Sequence, residues 1–164
     1  VGGMLLAFIA VIAAINYGLT GIIGEYTGLN AWVEGSTGGQ FKGFSLEYIF
    51  GQVFRVFAWV IGVDWVDTLQ VGSLLGQKTV INEFVAYLSL AEMKEAASIS
   101  TKSIIIATYA LCGFSNFSSI AIQLGGISII APNQQGNLSR LGLRALMAAS
   151  LACLMTATVA GMLV

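Results

Sequence analysis

The first 24 residues, Val1 to Gly24, carry no charge. A run of that length makes about 36 Å of helix, enough to cross a hydrocarbon core of roughly 30 Å with some tilt. Ala10, Ala14 and Gly18 recur every fourth position and allow close approach of a neighbouring helix. Asn16 is the oddity of this run. An inter-helix hydrogen bond is its expected use, ahead of a ligand role. Residues 25–43 are rich in glycine and polar groups and read as a loop outside the membrane. Over 44–62 the pattern changes. Leu46, Ile49, Phe50, Val53, Phe54, Phe57, Val60 and Ile61 fall on one side of a helix, while Glu47, Gly51 and Arg55 fall on the other. An aromatic-rich amphipathic helix of this kind suits a membrane interface, with Ser45 as its N-cap and Glu47 in its first turn.

Two interrupted apolar segments come next. In 64–93 the polar stretch Gly72, Gly76, Gln77, Lys78 and Thr79 divides the run into halves of about 15–21 Å, each too short to span a bilayer. The pattern predicts a re-entrant helical hairpin with its tip facing the protein interior, in preference to one kinked spanning helix. Glu83 lies just after the break, in the first turn of the second arm. A carboxylate there gains from the helix N-terminus but costs about 2.5–3.5 kcal/mol in a membrane interior, which marks it as functional unless Lys78 pairs with it. In 99–131, the stretch GFSNFSS (113–119) interrupts a second charge-free run. It continues a helix poorly, whereas Asn and Ser start a new one well. The reading is a discontinuous helix, one half through Cys112 and the other from about Asn116 to Ile130. A kinked helix whose Ser and Asn bond back to its own carbonyls is the alternative. The last run, 138–164, is a spanning helix. Its small residues Ala145, Ala149, Cys153, Ala157 and Gly161 form a packing stripe, and Arg140 and Arg144 place the loop before it on the cytoplasmic side. The C-terminus would then be outside, and the hairpin would enter from outside.

Composition narrows the function. Of 164 residues, 57% are hydrophobic and 9% charged, against about 25% charged in soluble domains. Mean hydropathy is +0.86. A soluble enzyme and a disordered chain are excluded, and an all-α, polytopic helical membrane protein is expected. There is no histidine, so histidine bases and histidine metal sites are ruled out. A net charge of −1 without a basic patch argues against nucleic acid. Cys112 and Cys153 fit neither a zinc nor a disulfide framework. No phosphate-binding glycine loop and no nucleophile with a base is present, so ATP-driven transport and enzymatic chemistry have no support. The chain opens on Val1 directly into an apolar run with no basic leader, and is expected to be part of a longer protein. A hairpin, a broken helix and one intramembrane acid together are the sequence pointer to a secondary-transporter site near the bilayer midplane. Glu83, Asn116, Ser118 and Ser119 could bond a hydroxylated solute.

The stretches VGSLLGQKTVINEFVAYLSL (71–90), ALCGFSNFSSIAIQLGGISIIAP (110–132) and RALMAASLACLMTATVAG (144–161) resemble the C-terminal half of concentrative nucleoside transporters, most nearly the bacterial members. The resemblance covers nearly the whole chain. It implies a symporter that imports nucleosides on a sodium (or proton) gradient by alternating access, as a homotrimer in the bacterial inner membrane. This chain would then be the second of two inverted repeats, with a scaffold helix and loop (1–43), the interfacial helix (44–62) and a transport-domain half (63–164). By resemblance Glu83, Asn116 and Ser119 contact the ribose and Phe114 packs beside a uridine-like nucleoside. The residues alone mark Phe114 as packing. The base contacts and the sodium site are expected in the N-terminal part, so no metal site and neither base preference nor coupling ion is assigned from these residues. A membrane channel or structural subunit without a solute site is the rival reading.

Overall fold

In the computed structural model the described residues are 10–164. The start of the expected first span, residues 1–9, lies outside them. The described part is helical without strands, as the apolar patterning predicts.

Helix α1 runs from residue 10 to 27 and is wound as a π-helix over Tyr17–Gly24. It ends at Gly28, whose φ of 73° is the left-handed conformation that glycine adopts without a steric penalty. The stretch read as loop contains a second helix, α2 (Leu29–Ser36). Its short apolar spacing, Leu29–Trp32–Val33, is obscured by the glycines around it. Only Val33 is buried, against Tyr48 and Leu69. Helix α3 (Leu46–Val60) starts at Ser45, whose hydroxyl accepts from the Tyr48 amide at 3.2 Å.

Asn16 ties α1 to α3. Its Nδ2 donates to both Glu47 carboxylate oxygens at 2.9 Å, and its Oδ1 accepts from the Leu46 amide at 2.8 Å. The expected inter-helix bond is therefore present. A second bridge uses the π-helical segment, where the Thr20 carbonyl accepts from Asn30 Nδ2 at 2.9 Å and Asn30 Oδ1 accepts from the Phe44 amide at 2.9 Å.

Helices α4 (Thr68–Val80) and α5 (Glu83–Glu95) form a hairpin. Gln77 accepts from the Ser89 hydroxyl at 2.8 Å, and Asp67, before α4, accepts from the Ser100 amide, beyond α5, at 3.0 Å. The arms therefore run antiparallel, with their open end closed at Asp67. The break is at Ile81–Asn82 and not over Gly72–Thr79, which are helical. Gly72 and Gly76 are contact surface. A Cβ at Gly72 would stand 2.7 Å from the Gly51 carbonyl oxygen and 2.8 Å from the Arg55 amide nitrogen of α3. Gly76 instead makes room for the Phe50 side chain. Glycine here brings two helix backbones together. The small, polar side of α3 thus packs on the hairpin, with Arg55 stacked 4.2 Å over the Trp65 ring. Its apolar side, Val53, Val56, Phe57 and Val60, points outward.

Helix α6 (Thr101–Leu111) is capped by Ser100, whose hydroxyl accepts from the Ser103 amide. Burial opposes ionisation of Asp67, which is 6% exposed. Hydrogen bonds from the Ser103 hydroxyl and from the Ser100 amide and hydroxyl outweigh that penalty and hold its carboxyl below the usual range. Helix α7 spans Phe117–Ile130. After a 3₁₀ turn (Pro132–Gln134), α8 spans Gln135–Met162, starting earlier than position 138. Pro132–Met162 has a mean hydropathy of 1.8 in its best window and is the one helix among the described residues long and apolar enough to cross a membrane. Its small-residue stripe packs at its C-terminal end, whereas Ala145 and Ala149 are exposed and line a cavity toward α7. Ala157 is fully buried in the core, and a Cβ on Gly161 would meet the Ile106 side chain at 2.9 Å.

The main core joins α3, α4, α5, α6 and α8 through Ala58, Val71, Leu74, Ala86, Ile106, Leu111 and Ala157. Helix α7 has no buried residue, and its Ile122, Ile129 and Ile130 are exposed. So much outward apolar surface has no place in water but suits lipid or protein.

Candidate binding site

Two backbone breaks meet where the hairpin faces the start of α7. In the hairpin, Ile81 leaves helical geometry and Asn82 is extended, its side-chain oxygen accepting from the Val85 amide at 3.0 Å. This N-cap makes Glu83 the first residue of α5, where the helix dipole and unpaired amides favour a carboxylate. In the second break α6 stops at Leu111, Gly113 has φ 136°, and Asn116 is extended and caps α7. The discontinuous-helix reading is therefore the observed one, and the kinked alternative is not.

Asn116 is 1% exposed and joins the two breaks. Its Oδ1 accepts from the Ser119 amide (2.7 Å), the Ser119 hydroxyl (2.8 Å) and the Ser118 hydroxyl (2.7 Å). The backbone amide among these donors fixes which end of the side-chain amide is oxygen. Nδ2 is thereby turned toward the hairpin and donates to Glu83 Oε2 at 2.7 Å. Ser118 also lies 3.2 Å from the Ile81 carbonyl, a second link between the breaks. Among the described residues Asn116 is the one hydrogen-bond partner of Glu83, so Oε1 is left to accept from another donor.

Glu83, Asn116 and Ser119, three of the residues singled out in the sequence, therefore form one connected group. Phe114 stands beside it, 77% exposed. Phe114, Asn116 and Ser119 line a cavity of about 180 Å³ between α7 and α8, together with Ile120 and Gln123. Glu83 is not on that lining and meets Asn116 from the hairpin. The group offers a carboxylate oxygen and a serine oxygen as acceptors and one further amide N–H as donor. That set matches neighbouring hydroxyls on a small solute.

Lys78 does not pair with Glu83 and is not at the hairpin tip. It lies in the last turn of α4, is 3% exposed, and its Nζ donates to the Ala110 carbonyl at 2.8 Å. An ammonium at a helix C-terminus interacts favourably with the helix dipole, by about 0.3–2 kcal/mol. Its side chain carries the same signal in the sequence as any lysine near a break. Only the fold shows which carbonyl it meets.

Comparison with known proteins gives a consistent picture. Residues 1–161 match the sequence-family model described as Na+ dependent nucleoside transporter C-terminus. The chain is 46% identical over its full length to an uncharacterized transporter of Bacillus subtilis, YutK, and covers 37% of it. It is 38% identical over 172 aligned residues to sodium/nucleoside cotransporter 1 of Sus scrofa, covering 97% of this chain and 25% of that protein. Among solved structures, CNTnw in an inward-facing substrate-bound state superposes with a TM-score of 0.81 at 44% identity, over 98% of this chain and 36% of that one. An outward-facing CNTnw variant superposes with a TM-score of 0.79. The chain thus spans between a quarter and a little over a third of the length of these relatives and structures.

Proposed function

The chain belongs to the concentrative, Na+-dependent nucleoside transporter family, a family of membrane transporters and not of enzymes, and from that premise we propose that it supplies the ribose-binding half of a secondary active nucleoside importer. The observation that carries this is the bond between the two breaks, Asn116 Nδ2 to Glu83 Oε2. Interrupted helices meeting at one polar group are how membrane transporters build a solute site within the bilayer. Glu83 accepts from one ribose hydroxyl, the remaining Asn116 N–H donates to another, and the Ser119 oxygen accepts. Phe114 packs against the nucleoside. Burying a hydroxyl without a partner is costly, so this site favours ribose over analogues lacking its hydroxyls.

The hairpin, the broken helix and the final spanning helix (63–164) form half of a transport domain, with the hairpin entering the membrane from outside. Residues 1–43 belong to a scaffold, and 44–62 lie at the interface. Alternating access moves the hairpin and the broken helix as one body. The assembly is a homotrimer in the bacterial inner membrane, coupled to sodium at a site outside this chain. Each sodium ion entering down a tenfold gradient and 100 mV contributes about 1.4 plus 2.3 kcal/mol, enough for roughly 500-fold accumulation.

The test is uptake of labelled uridine by the full-length protein in proteoliposomes, with and without an inward sodium gradient. Saturable, sodium-dependent uptake that is lost in Glu83→Gln is expected. Uptake that does not saturate, or is indifferent to Glu83, would point to a channel or a structural subunit.

A further inference from the structure

We propose that Lys78 is a positioning residue for the nucleoside site: by holding the Ala110 carbonyl it fixes where α6 stops, and so where Phe114 and Asn116 stand. The inference rests on the reading of Glu83 and Asn116 as ligand-binding groups.

Lysine is almost never buried to this degree without a partner. Lys78 is 3% exposed, beside a cavity walled by Phe54, Leu75, Leu146 and Leu154. Its partner is a backbone carbonyl in the last turn of another helix. In a continuous helix the Ala110 carbonyl would accept from the amide of residue 114. The chain leaves helical geometry at Cys112 and Gly113, so that donor is withdrawn. The lysine ammonium replaces it, and the negative end of the helix dipole favours a cation there.

The placement relative to the other links gives the residue its role. Ser118 and Asn116 tie the start of α7 to Ile81 and Glu83 of the hairpin. Lys78 ties the end of α6 to the same hairpin from the other side of the break. The stretch between these anchors holds Phe114 and leads directly into Asn116. Without Lys78 the orphaned Ala110 carbonyl would draw α6 onward through Cys112. Each added helical residue rotates the chain beyond it by about 100°. Phe114 and the Asn116 amide would then be misdirected although neither had been altered.

The experiment uses the full-length transporter in proteoliposomes. Lys78→Met keeps the length and removes the donor, and Lys78→Gln keeps a neutral N–H on a shorter arm. Uridine KM and the uptake ratio of uridine to its 2′- and 3′-deoxy analogues are measured for each, with Glu83→Gln alongside. The expected result is that Lys78→Met raises KM at least tenfold and flattens the ratio, while Lys78→Gln falls between it and wild type. Wild-type KM and ratio in Lys78→Met overturn the proposal, whatever the maximal rate, because a merely structural loss lowers the amount of working transporter without changing discrimination. If Lys78→Met does not insert, Lys78→Gln decides by the same two quantities: an intermediate loss is expected, and wild-type values overturn it. If Glu83→Gln itself keeps wild-type affinity and ratio, the site reading fails. If it loses both and Lys78→Met loses neither, only the role of Lys78 falls.

Discussion

Asn116 and Glu83 are 33 positions apart and bonded at 2.7 Å, each on the residue that starts or caps a helix after a break. The two interruptions are thus one structural object. Helix starts carry unpaired amides, and here the Val85 amide is taken up by the Asn82 side chain and the Ser119 amide by the Asn116 side chain.

Replacing Glu83 with Gln removes a charged acceptor of hydroxyl donors. Hydrogen bonds to charged groups contribute about 1.5–3 kcal/mol. Nucleoside affinity should fall by about 10- to 150-fold, read as Kd by calorimetry on the purified full-length protein. Unchanged Kd would remove Glu83 from the site.

Asn116 both caps α7 and links to Glu83, and two substitutions separate these roles. Serine is as good an N-cap as asparagine, while alanine is not. Asn116→Ser should therefore keep thermal stability near wild type yet lose nucleoside affinity, whereas Asn116→Ala should lose both, with about 0.5–2 kcal/mol of stability. Equal affinity in Asn116→Ser and wild type would reduce the residue to a cap.

Much of the architecture is legible in the amino-acid sequence. The second break is readable because GFSNFSS is a poor helix and a good start, and Glu83 stands out because so few charges are spent in apolar segments. The first break is harder to place because glycine has two uses. Gly72 and Gly76 look like interruptions in one dimension but are points of close contact with α3, and the contact of Gly72 depends on a partner 21 residues away at Gly51. Helix α2 is hidden because its apolar spacing is too short to show a period. The π-helical winding of α1, where the Thr20 carbonyl accepts from Asn30, is a rare form that local helix propensity does not signal.

The contact between Gly51 and Gly72 gives a stability test. A methyl at Gly72 must push against the backbone of α3, so Gly72→Ala should destabilise by about 1–3 kcal/mol. Gly35 lies in α2 with nothing within 4 Å of where its Cβ would be. Gly35→Ala should be neutral or stabilising by up to about 1 kcal/mol. Thermal unfolding of the purified variants reads both. Equal effects would mean that the α3–α4 contact is looser than described.

Asp67 predicts a pH dependence. Its carboxyl is held below its ordinary 3.8 in the fold. A depressed carboxyl contributes stability that is fully present above the unfolded value and is lost as pH falls through the folded one. Asp67→Asn should thus lower the unfolding temperature by the same amount from pH 5 to pH 8, and the gap should narrow only below about pH 3.8. A gap that varies between pH 5 and pH 8 would assign the effect to another group.

The glycine seam also has a mechanical consequence. Backbones in contact through Gly51 and Gly72, with the Phe50 side chain seated on Gly76, cannot ratchet past one another by a residue, so α3 is an outrigger of the hairpin. On the proposed interfacial placement of 44–62, whatever stroke the hairpin makes, α3 carries the exposed Val53, Val56, Phe57 and Val60 with it through the surrounding lipid. Its far end is moored to α1 at Asn16. The membrane is therefore a load on the moving part, with the mooring as pivot, and turnover should slow in thicker or stiffer bilayers while nucleoside affinity stays constant.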